Sequence, residues 1–465
     1  MAVESMDESP QALVERALSS ATLPSMVIVR ETTQANLRWA SNSLSTNGQM
    51  RTRELTVIAT APVEGGIAVG SVSQELSSAD QVADQVSAAE AMARSGPPAE
   101  DASDLVEDYA HGDDWAAAPA TTSIEVFGEL APALGQAFSA AAAAGHLLFG
   151  FAEHIVTTSY LGTSTGLRRR GVQPTGRLEL NAKSSDFTDS AWVGTSTRDF
   201  RDVDITSRYT EVVTRLGWSS RRVDLEPGRY ETLMPPGAIA DLMIYAYWTA
   251  TARKAEEGRT VFGAGDGQTK IGQQLSNLPI TLRSQPDATG IECTPFVLTS
   301  ASGELASVFD NGSPLAPTDW IRDGRLTQLI RHRAWARKTG QPPVGSIDNL
   351  IMEADGTATL EEMISRTERG LLLTCLWYIR EVDPERLLLT GLTRDGVYLI
   401  ENGQITAAVN NFRFNESPVD LLSRIAEVGA AEQTLCREWN DYFTRTIMPP
   451  VRIRDFNMST VSQAS

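Results

Sequence analysis

The sequence has few of the residues that form disulfides or bind transition metals. Its 465 residues include three cysteines, Cys293, Cys375 and Cys436, and four histidines. An odd number of widely spaced cysteines excludes a disulfide framework and a Cys-x-x-Cys zinc module. We therefore expect reduced thiols.

Basic residues and long apolar runs are also scarce. Lys and Arg number 40 against 59 Asp and Glu, which gives a formal charge of −19. This balance argues against nucleic acid or an anionic membrane as a partner, because a phosphate lattice attracts a basic face. The longest apolar run, residues 137–152, is interrupted by His146 and is too short to span a bilayer. The N-terminus is acidic, unlike a signal peptide, so we expect a cytoplasmic protein.

Length and turn chemistry predict the fold class. A chain of this length suggests about two to three domains, and the composition changes near residues 219–228. We place an N-terminal α+β domain at residues 1–220 and a β-rich C-terminal domain at residues 221–465. The turn pairs Asn311-Gly312, Asp323-Gly324 and Asn402-Gly403 are typical of tight hairpins, which join antiparallel strands. We therefore expect an α+β fold of mainly antiparallel sheets with flanking helices.

Individual elements follow from periodicity and capping. Ser9-Pro10 predicts the start of a helix. Strands are predicted at residues 26–40 and 51–61, joined by a turn at Asn47-Gly48. In the second half, a helix is predicted from Gly237 to Glu257.

Residues 95–120 form an acidic, proline-containing connection. Its carboxylates lack the regular ligand spacing of an EF-hand loop, so we interpret the segment as a solvated linker rather than a metal site. The seven carboxylates are Glu100, Asp101, Asp104, Glu107, Asp108, Asp113 and Asp114.

Three short motifs resemble functional ones but have ordinary interpretations. Residues 162–166 match G-x-S-x-G, but a strand-like segment follows instead of the helix that a nucleophile elbow requires, so we predict a turn. Residues 263–270 are glycine-rich but depart from the P-loop pattern, and we predict a surface loop. A basic stretch can bind an anion or form a solvated sheet face, and strand alternation favours the second. It comprises Arg322, Arg325, Arg331, Arg333, Arg337 and Lys338.

The histidines do not form a recognisable metal motif. His146 and His154 are eight residues apart, which is roughly 26 Å on a strand or about 12 Å on a helix. Zinc–nitrogen bonds are about 2 Å long, so both imidazoles cannot bind one ion from one regular element. We expect His111, His146, His154 and His332 to be structural or surface residues.

Several blocks in order along the chain resemble the TldD/PmbA (TldE) family of metallopeptidase-related proteins. The clearest blocks are residues 36–48, 164–167, 178–180, 190–194, 349–353, 361–364, 369–374, 399–405 and 418–422. The resemblance covers nearly the whole chain.

The resemblance implies that the zinc peptidase of the family is the TldD-type subunit. In that subunit a His-Glu-x-x-x-His motif lies on the helix after a Pro-Gly turn, and a distant cysteine is a further ligand. This sequence has Pro236-Gly237, but the motif positions hold Ile244, Tyr245 and Thr249, and Cys436 lies near the expected cysteine. Tyrosine cannot replace glutamate as a general base near pH 7. We therefore expect no catalytic residue and no metal ligand in this chain.

The favoured hypothesis is a non-catalytic, TldE/PmbA-like subunit. The resemblance implies a heterodimer with a TldD-type catalytic subunit, which binds the zinc, and a chamber that admits unstructured peptides. An alternative is a stand-alone enzyme or binding protein that acts on a small molecule or modified peptide in the inherited cavity, with Tyr245, Tyr247 and Arg253 as candidate residues. A third hypothesis, a gyrase-linked regulator that binds nucleic acid, is disfavoured by the charge of −19.

Overall fold

The computed structural model describes residues 8–107 and 114–462. The predicted candidates Asp108, His111 and Asp113 lie outside the described residues. Within them, no helix has the length and apolar composition needed to cross a bilayer.

The N-terminal half is built on one antiparallel sheet with helices on one face. The strand order is β3-β2-β1-β4-β5-β6. The strands are β1 (Ser25–Ala40), β2 (Ser43–Val63), β3 (Gly66–Glu75), β4 (His146–Thr163), β5 (Arg168–Ser184) and β6 (Ser190–Thr197). The helices are α1 (Pro10–Ser20), α2 (Gln81–Ser95), α3 (Leu130–Ala143) and α4 (Ile205–Gly217), and a 3-10 helix covers Ile124–Phe127.

Strand alternation separates the two faces of this sheet. Ala35, Leu37 and Trp39 of β1 are buried with residues of α3 and α4. Residues 34, 36 and 38 therefore project from the opposite face. Part of that opposite face, including Met26 and Ile28, packs against Phe296 and Phe309 of the second half.

The C-terminal half contributes two larger sheets and a small hairpin. The larger C-terminal sheet has the order β16-β17-β20-β24-β8-β15-β18-β19-β7, with β21 beside β24. The smaller C-terminal sheet has the order β13-β12-β11-β14-β23-β22. The N-terminal sheet is called the first sheet below. In chain order the elements are β7 (Arg222–Val223), β8 (Gly228–Met234), α5 (Pro236–Thr249), α6 (Ala252–Glu256), β9 (Gly263–Gly265), β10 (Gln268–Thr269), β11 (Thr281–Ser284), β12 (Thr318–Arg322), β13 (Arg325–Leu326), α7 (Arg333–Thr339), β14 (Leu350–Glu353), α8 (Leu360–Ser365), β15 (Arg369–Leu373), β16 (Leu376–Asp383), β17 (Leu388–Thr393), β18 (Val397–Glu401), β19 (Gln404–Val409), β20 (Phe412–Glu416), α9 (Pro418–Leu422), β21 (Ile425–Val428), β22 (Glu432–Thr434), β23 (Thr446–Met448) and β24 (Val451–Val461).

Helix α5 lies inside the core of this half. Apart from Asp241, its buried residues are mostly apolar and lie on all sides, as expected for a helix within a core. Its residues share a cluster with Leu371 and Ile453 of one sheet and with Leu350 and Met448 of the other. A buried helix between two sheets therefore organises the C-terminal half.

The predicted α+β class with mainly antiparallel sheets is confirmed. Within the described residues, the parallel pairs are β8 with β15, β14 with β23, and β7 with β19. The strands of the first sheet end at Thr197, and those of the other sheets begin at Arg222. Division into independent domains at residues 220 and 221 stays a prediction.

The predicted turn at Asn47-Gly48 is wrong, because both residues pair within β2 opposite Leu37 and Asn36. The β1–β2 turn is at Ser41 and Asn42, which have positive φ values of 49° and 62°. The Asn42 side chain donates to the carbonyl of His146 at 2.8 Å and accepts from the N–H of Leu148 at 2.7 Å. These bonds to β4 stabilise the turn there.

The predicted helix from Gly237 to Glu257 is interrupted. Helix α5 ends at Thr249, and α6 begins at Ala252. Between them, the N–H of Ile330 donates to the carbonyl of Ala250, and the N–H of Ala252 donates to the carbonyl of Ile330. This exchange with a neighbouring strand-like segment replaces helical hydrogen bonds and divides the helix.

Other turn and loop predictions have mixed outcomes. Asp323-Gly324 and Asn402-Gly403 connect paired strands as predicted. Asn311-Gly312 instead follows a 3-10 helix at Val308–Asp310. The connection at 95–120 is not simply solvated, because Ser103 and Leu105 are buried and Asp101 accepts hydrogen bonds from Ser302 and Ser307.

A pair of glycine substitutions tests the packing of the first sheet. A Cβ atom at Gly150 would overlap the Glu179 carbonyl oxygen and lie 2.5 Å from the Trp39 ring. At Gly135, in α3, a Cβ would meet nothing within 4 Å. We expect Gly150→Ala to destabilise the protein by about 1–3 kcal/mol through overpacking. Gly135→Ala should stabilise it by about 0.5–1 kcal/mol through helix propensity. Denaturant unfolding measures both, and equal shifts would contradict this account of packing around Trp39.

Candidate functional site

The helix that follows Pro236-Gly237 carries the three positions where the resemblance predicts a metal motif. The Ile244 side chain is fully buried in the apolar core. The Tyr245 ring packs against Trp439 and Trp248, with centroid distances of 5.7 and 6.5 Å. The hydroxyl of Thr249 donates to the carbonyl of Ala246 on the same helix at 2.9 Å. The three side chains are therefore engaged in core packing, in aromatic contacts and in a hydrogen bond within the helix.

The same helix is joined to a loop that contains Cys436. Asp241 is fully buried on α5, and its carboxylate accepts the N–H of Glu438 at 2.9 Å and the N–H of Arg437 at 3.3 Å. The Trp439 indole donates to the Asp241 carbonyl oxygen at 2.9 Å. Asp241 thus fastens residues 437–439 to the helix.

Burial controls the protonation of this pair. It raises the pKa of Asp241 to about 8, against the opposite effect of the Glu438 and Arg437 N–H groups. Burial, and then the neighbouring Asp241, raises the pKa of the Cys436 thiol well above its ordinary value. The thiol lies 3.4 Å from the Phe443 carbonyl oxygen, to which it donates. Since thiolates are the form that binds metals, this environment disfavours Cys436 as a ligand.

The residues around α5 do not fit a zinc ion. A catalytic zinc needs about three protein ligands, commonly histidine, carboxylate or thiolate. Ile244 offers no donor atom, Thr249 is engaged with its own helix, and Asp241 already accepts two backbone N–H groups. Across residues 8–107 and 114–462, no group of three His, Cys, Asp or Glu side chains is arranged to hold a metal.

The histidines that the structure describes have separate surroundings. His154 is buried and bonds through its ring nitrogens to the Thr122 hydroxyl and the Arg198 carbonyl, both at 2.7 Å. Burial lowers its pKa. His332 caps α7 by accepting the N–H of Trp335. His146 begins β4, eight residues before His154.

The short sequence motifs also have structural roles. Residues 162–166 form the turn between β4 and β5, and residues 263–269 form the β9–β10 hairpin. The prediction that the basic stretch forms a solvated sheet face is wrong for Arg331 and Arg333. Arg331 is buried, whereas Arg333 begins α7 and pairs with Asp310 at 2.8 Å.

The candidate residues of the alternative hypothesis are not brought together. Tyr247 is buried, and its hydroxyl donates to the Ile347 carbonyl at 2.8 Å. Arg253 lies on α6 and pairs with Glu100 and Glu257. Tyr245 is partly buried against Trp439, so the three side chains do not line one cavity.

A groove of about 920 Å³ lies between the first sheet and the loop that Asp241 anchors. One wall is the sheet face opposite α3 and α4, where β1, β4 and β5 present alternate side chains. The other wall is Trp377 of β16 and residues 437–441 of the loop. The side chains of the sheet wall are Gln34, Asn36, Arg38, Phe149, Phe151, Glu153, Arg177 and Glu179.

Ion pairs connect the two walls. Arg177 on β5 pairs with Glu153 at 3.1 Å and with Asp441 of the loop, and it donates to the Asn440 side chain at 3.0 Å. Arg437 of the loop donates to Glu179 at 2.5 Å. Charged hydrogen bonds therefore close the inner part of the groove and keep the loop close to the sheet.

Aromatic rings surround the groove's arginines. The guanidinium carbon of Arg437 lies 4.8 Å from the Trp192 ring centroid and 5.1 Å from that of Trp377. Those of Arg38 and Arg177 lie 5.2 and 5.4 Å from the Phe151 centroid. Such contacts hold the planar cations in defined orientations.

The groove is not evident from the sequence. Its wall comes from strands that are distant in sequence, and its loop is positioned by Asp241, which lies within an otherwise apolar helix. A usable signal was present in β1, where polar Gln34, Asn36 and Arg38 alternate with apolar residues. The charge at Asp241 within residues 238–246 was a second signal.

The raised pKa of Asp241 generates a prediction about pH. An acid whose pKa is higher in the folded state takes up protons on folding between its two pKa values, so the free energy of unfolding falls as pH rises. For Asp241 this window extends from about 4 to about 8. We expect Asp241→Asn to be less stable than the parent at pH 5, by about 1–3 kcal/mol, because an amide cannot accept both N–H groups. Since the parent loses up to about 1.4 kcal/mol of stability per pH unit in this window, the difference should shrink above pH 5 and change sign before pH 8.

Denaturant unfolding at several pH values measures this effect. Asp287→Asn is the matched control, because Asp287 is exposed and makes no ion pair with the described residues. Its difference from the parent should stay near zero. A difference for Asp241→Asn that does not change with pH would contradict the predicted titration.

Comparison with known proteins supports the resemblance. The family model described as "PmbA/TldA metallopeptidase C-terminal domain" matches residues 227–460, just over half of the chain. No curated protein gives a significant sequence match.

Solved structures share the fold over nearly the whole chain. TldE from Thermococcus kodakarensis is similar with a TM-score of 0.77 and 16% identity, covering 96% of this chain and 98% of that one. A candidate modulator of DNA gyrase from Bacteroides thetaiotaomicron has a TM-score of 0.75 and 14% identity, covering 97% and 98%. A similarly described protein from Thermotoga maritima has a TM-score of 0.70 and 17% identity, covering 96% and 99%. At these identities the structures show a common fold, and together with the family model they lead to one conclusion: this chain belongs to the TldD/PmbA family.

Proposed function

We propose that this chain is the non-catalytic, TldE/PmbA-like subunit of a cytoplasmic zinc metallopeptidase. In this proposal a TldD-type partner supplies the zinc and the hydrolytic chemistry, and this chain helps to hold unstructured peptides. The observation that carries the proposal is the surroundings of α5. At the positions where the resemblance expects ligands, Ile244 is in the core, Tyr245 packs on Trp439 and Thr249 bonds to its own helix.

The groove is the part of this chain best suited to hold a peptide. Its volume of about 920 Å³ is near the upper end of the about 300–1,000 Å³ typical of ligand sites. Its walls combine aromatic rings with charged and amide side chains, which suit both the apolar and the polar groups of a peptide. The ion pairs of Arg177 and Arg437 keep these walls preformed.

Strand addition is less suited to the groove than side-chain recognition. β16 is an edge strand of its sheet, and Trp377 on it lines the groove. However, the Glu438 carboxylate accepts the N–H of Tyr378 at 2.8 Å and the N–H of Ile379 at 3.0 Å. A peptide strand would need to displace Glu438 to pair there, so we assign binding to the side chains of the groove.

The proposal predicts how activity and zinc divide between two chains. The chain is purified alone and after coexpression with a TldD-type chain that carries His-Glu-x-x-x-His. We expect the lone chain to hold substoichiometric zinc and to cleave no unstructured peptide. The copurified pair should hold about one zinc per heterodimer and show peptidase activity that a chelator abolishes.

The control is a pair in which the partner's motif glutamate is replaced by glutamine. This pair should assemble but lose activity, because the general base is missing. Stoichiometric zinc and chelator-sensitive peptidase activity in the lone chain would contradict the proposal. Failure of the two chains to associate would also contradict it.

A further inference from the structure

The carboxylates that line the groove have ion-pair partners, whereas one of its arginines has none in the part of the chain that the structure describes. Each of its four carboxylates has a partner: Glu153 and Asp441 pair with Arg177, Glu179 with Arg437, and Glu438 with Arg380. Glu438 also accepts two backbone N–H groups. The anionic side of the groove therefore offers little to a ligand.

Arg38 differs from the other arginines of the groove. It is exposed at the groove wall, and within the described residues its guanidinium makes no ion pair and no side-chain hydrogen bond. Its guanidinium lies over the face of Phe151, with the guanidinium carbon 5.2 Å from the ring centroid. A guanidinium carries five N–H donors in a planar fork, and stacking on an aromatic ring leaves those at its edge available.

The sheet register places Arg38 at the outer part of the groove. On the groove face, Asn36 lies opposite Glu153, and Arg38 lies one step further out, opposite Phe151. On β5, Arg177 lies opposite Glu153 and Glu179 opposite Phe151. The inner row thus contains the pair of Arg177 and Glu153. The outer row contains Glu179, which is paired with Arg437, and, on the other side of Phe151, the unpaired Arg38.

A second cation, Lys183, lies beside Phe149 of the groove wall, although it does not itself line the groove. The Lys183 ammonium lies 5.7 Å from the Phe149 ring centroid and 5.8 Å from that of Phe187. It forms no ion pair with the described residues. In a chain with a net charge of −19, the unpaired guanidinium of Arg38 at the groove wall favours an anionic group locally.

We propose that the groove selects extended peptides that place a carboxylate against Arg38. This inference rests on the proposed function, since it takes the groove to be a peptide site. The recognised chemistry is a carboxylate, which binds a guanidinium through two parallel hydrogen bonds. An acidic side chain and a peptide C-terminus both supply this group.

The experiment uses four fluorescein-labelled decapeptides and the purified full chain, with binding followed by fluorescence polarisation. The peptides share a Gly/Ser/Phe background. They carry an internal Glu with an amidated C-terminus, an internal Gln with a free C-terminus, both carboxylates, or neither. We expect at least one carboxylate peptide to bind about tenfold or more tightly than the neutral one, which corresponds to about 1.4 kcal/mol. The first two peptides then distinguish a side-chain carboxylate from a terminal one.

Variants assign the preference to Arg38. Arg38→Gln should reduce the ratio of carboxylate-peptide affinity to neutral-peptide affinity to about one. Arg38→Lys should keep part of it, because an ammonium is a point charge without the planar fork. Arg337→Gln is the matched control, since Arg337 is exposed on α7 and makes no ion pair with the described residues. It should bind all four peptides like the parent.

Three outcomes would overturn the inference: equal affinity for neutral and carboxylate peptides, a preference that survives in Arg38→Gln, or no binding of any peptide to the lone chain. These outcomes are separable from failure of the proposed function. Zinc-dependent peptidase activity in the lone chain would overturn the subunit role but leave a carboxylate preference at Arg38 intact. An active heterodimer without that preference would support the subunit role and overturn the inference about Arg38.

Discussion

The groove depends on the hydrogen bonds that the buried side chain of Asp241 accepts. Asp241 lies in the middle of α5, a helix packed between two sheets, and accepts the N–H groups of Arg437 and Glu438. A polar group without partners in such a core would cost several kcal/mol, so the helix and the loop are mutually required. Because the loop is held here, the side chains of Arg437 and Asp441 reach the first sheet. The core of the C-terminal half thereby holds Arg437 and Asp441 against the sheet of the N-terminal half.

This linkage explains how the region around α5 can retain its shape without metal ligands. The resemblance expects a helix and a cysteine-bearing segment to be joined through an ion. In this chain the helix and the Cys436 loop are joined by hydrogen bonds to Asp241 and by the packing of Tyr245 and Trp248 on Trp439. A carboxylate that accepts backbone N–H groups supplies directional bonds, and the aromatic rings exclude water. The two devices together make the connection independent of an ion.

Local patterns predicted the fold class and many elements but not the contacts that decide between competing turns. Ser9 caps the first helix, and Pro10 begins it, as predicted. Asn47-Gly48 is a strong turn pair, yet the turn lies at Ser41-Asn42, because Asn42 bonds to β4, more than a hundred residues away. Likewise, α5 ends early because residues 250–252 pair with Ile330. Long-range pairing overrides local propensity in both cases.

In the candidate site, too, local features could be predicted from the sequence but long-range contacts could not. That positions 244, 245 and 249 hold no histidine or glutamate can be read directly from the residues, and the structure adds where those side chains pack. The groove could not be predicted in this way, because its walls come from β1, β4, β5, β16 and the loop after Thr434, and their register is a tertiary property.

The two faces of the first sheet also explain why a strongly acidic chain can present a cationic site. The even-numbered face of β1 packs against the second half at Met26 and Ile28, and further along the same strand it leaves that contact and forms the groove wall at Gln34, Asn36 and Arg38. Where the two halves separate, the side chains must be polar. Carboxylates in that space are matched by Arg177, Arg437 and Arg380, because an unpaired buried charge is costly. Arg38 is further out, where solvent and the face of Phe151 stabilise its charge without a protein anion. A net charge of −19 describes the whole surface, whereas binding responds to the few charges that the fold leaves unpaired at one place.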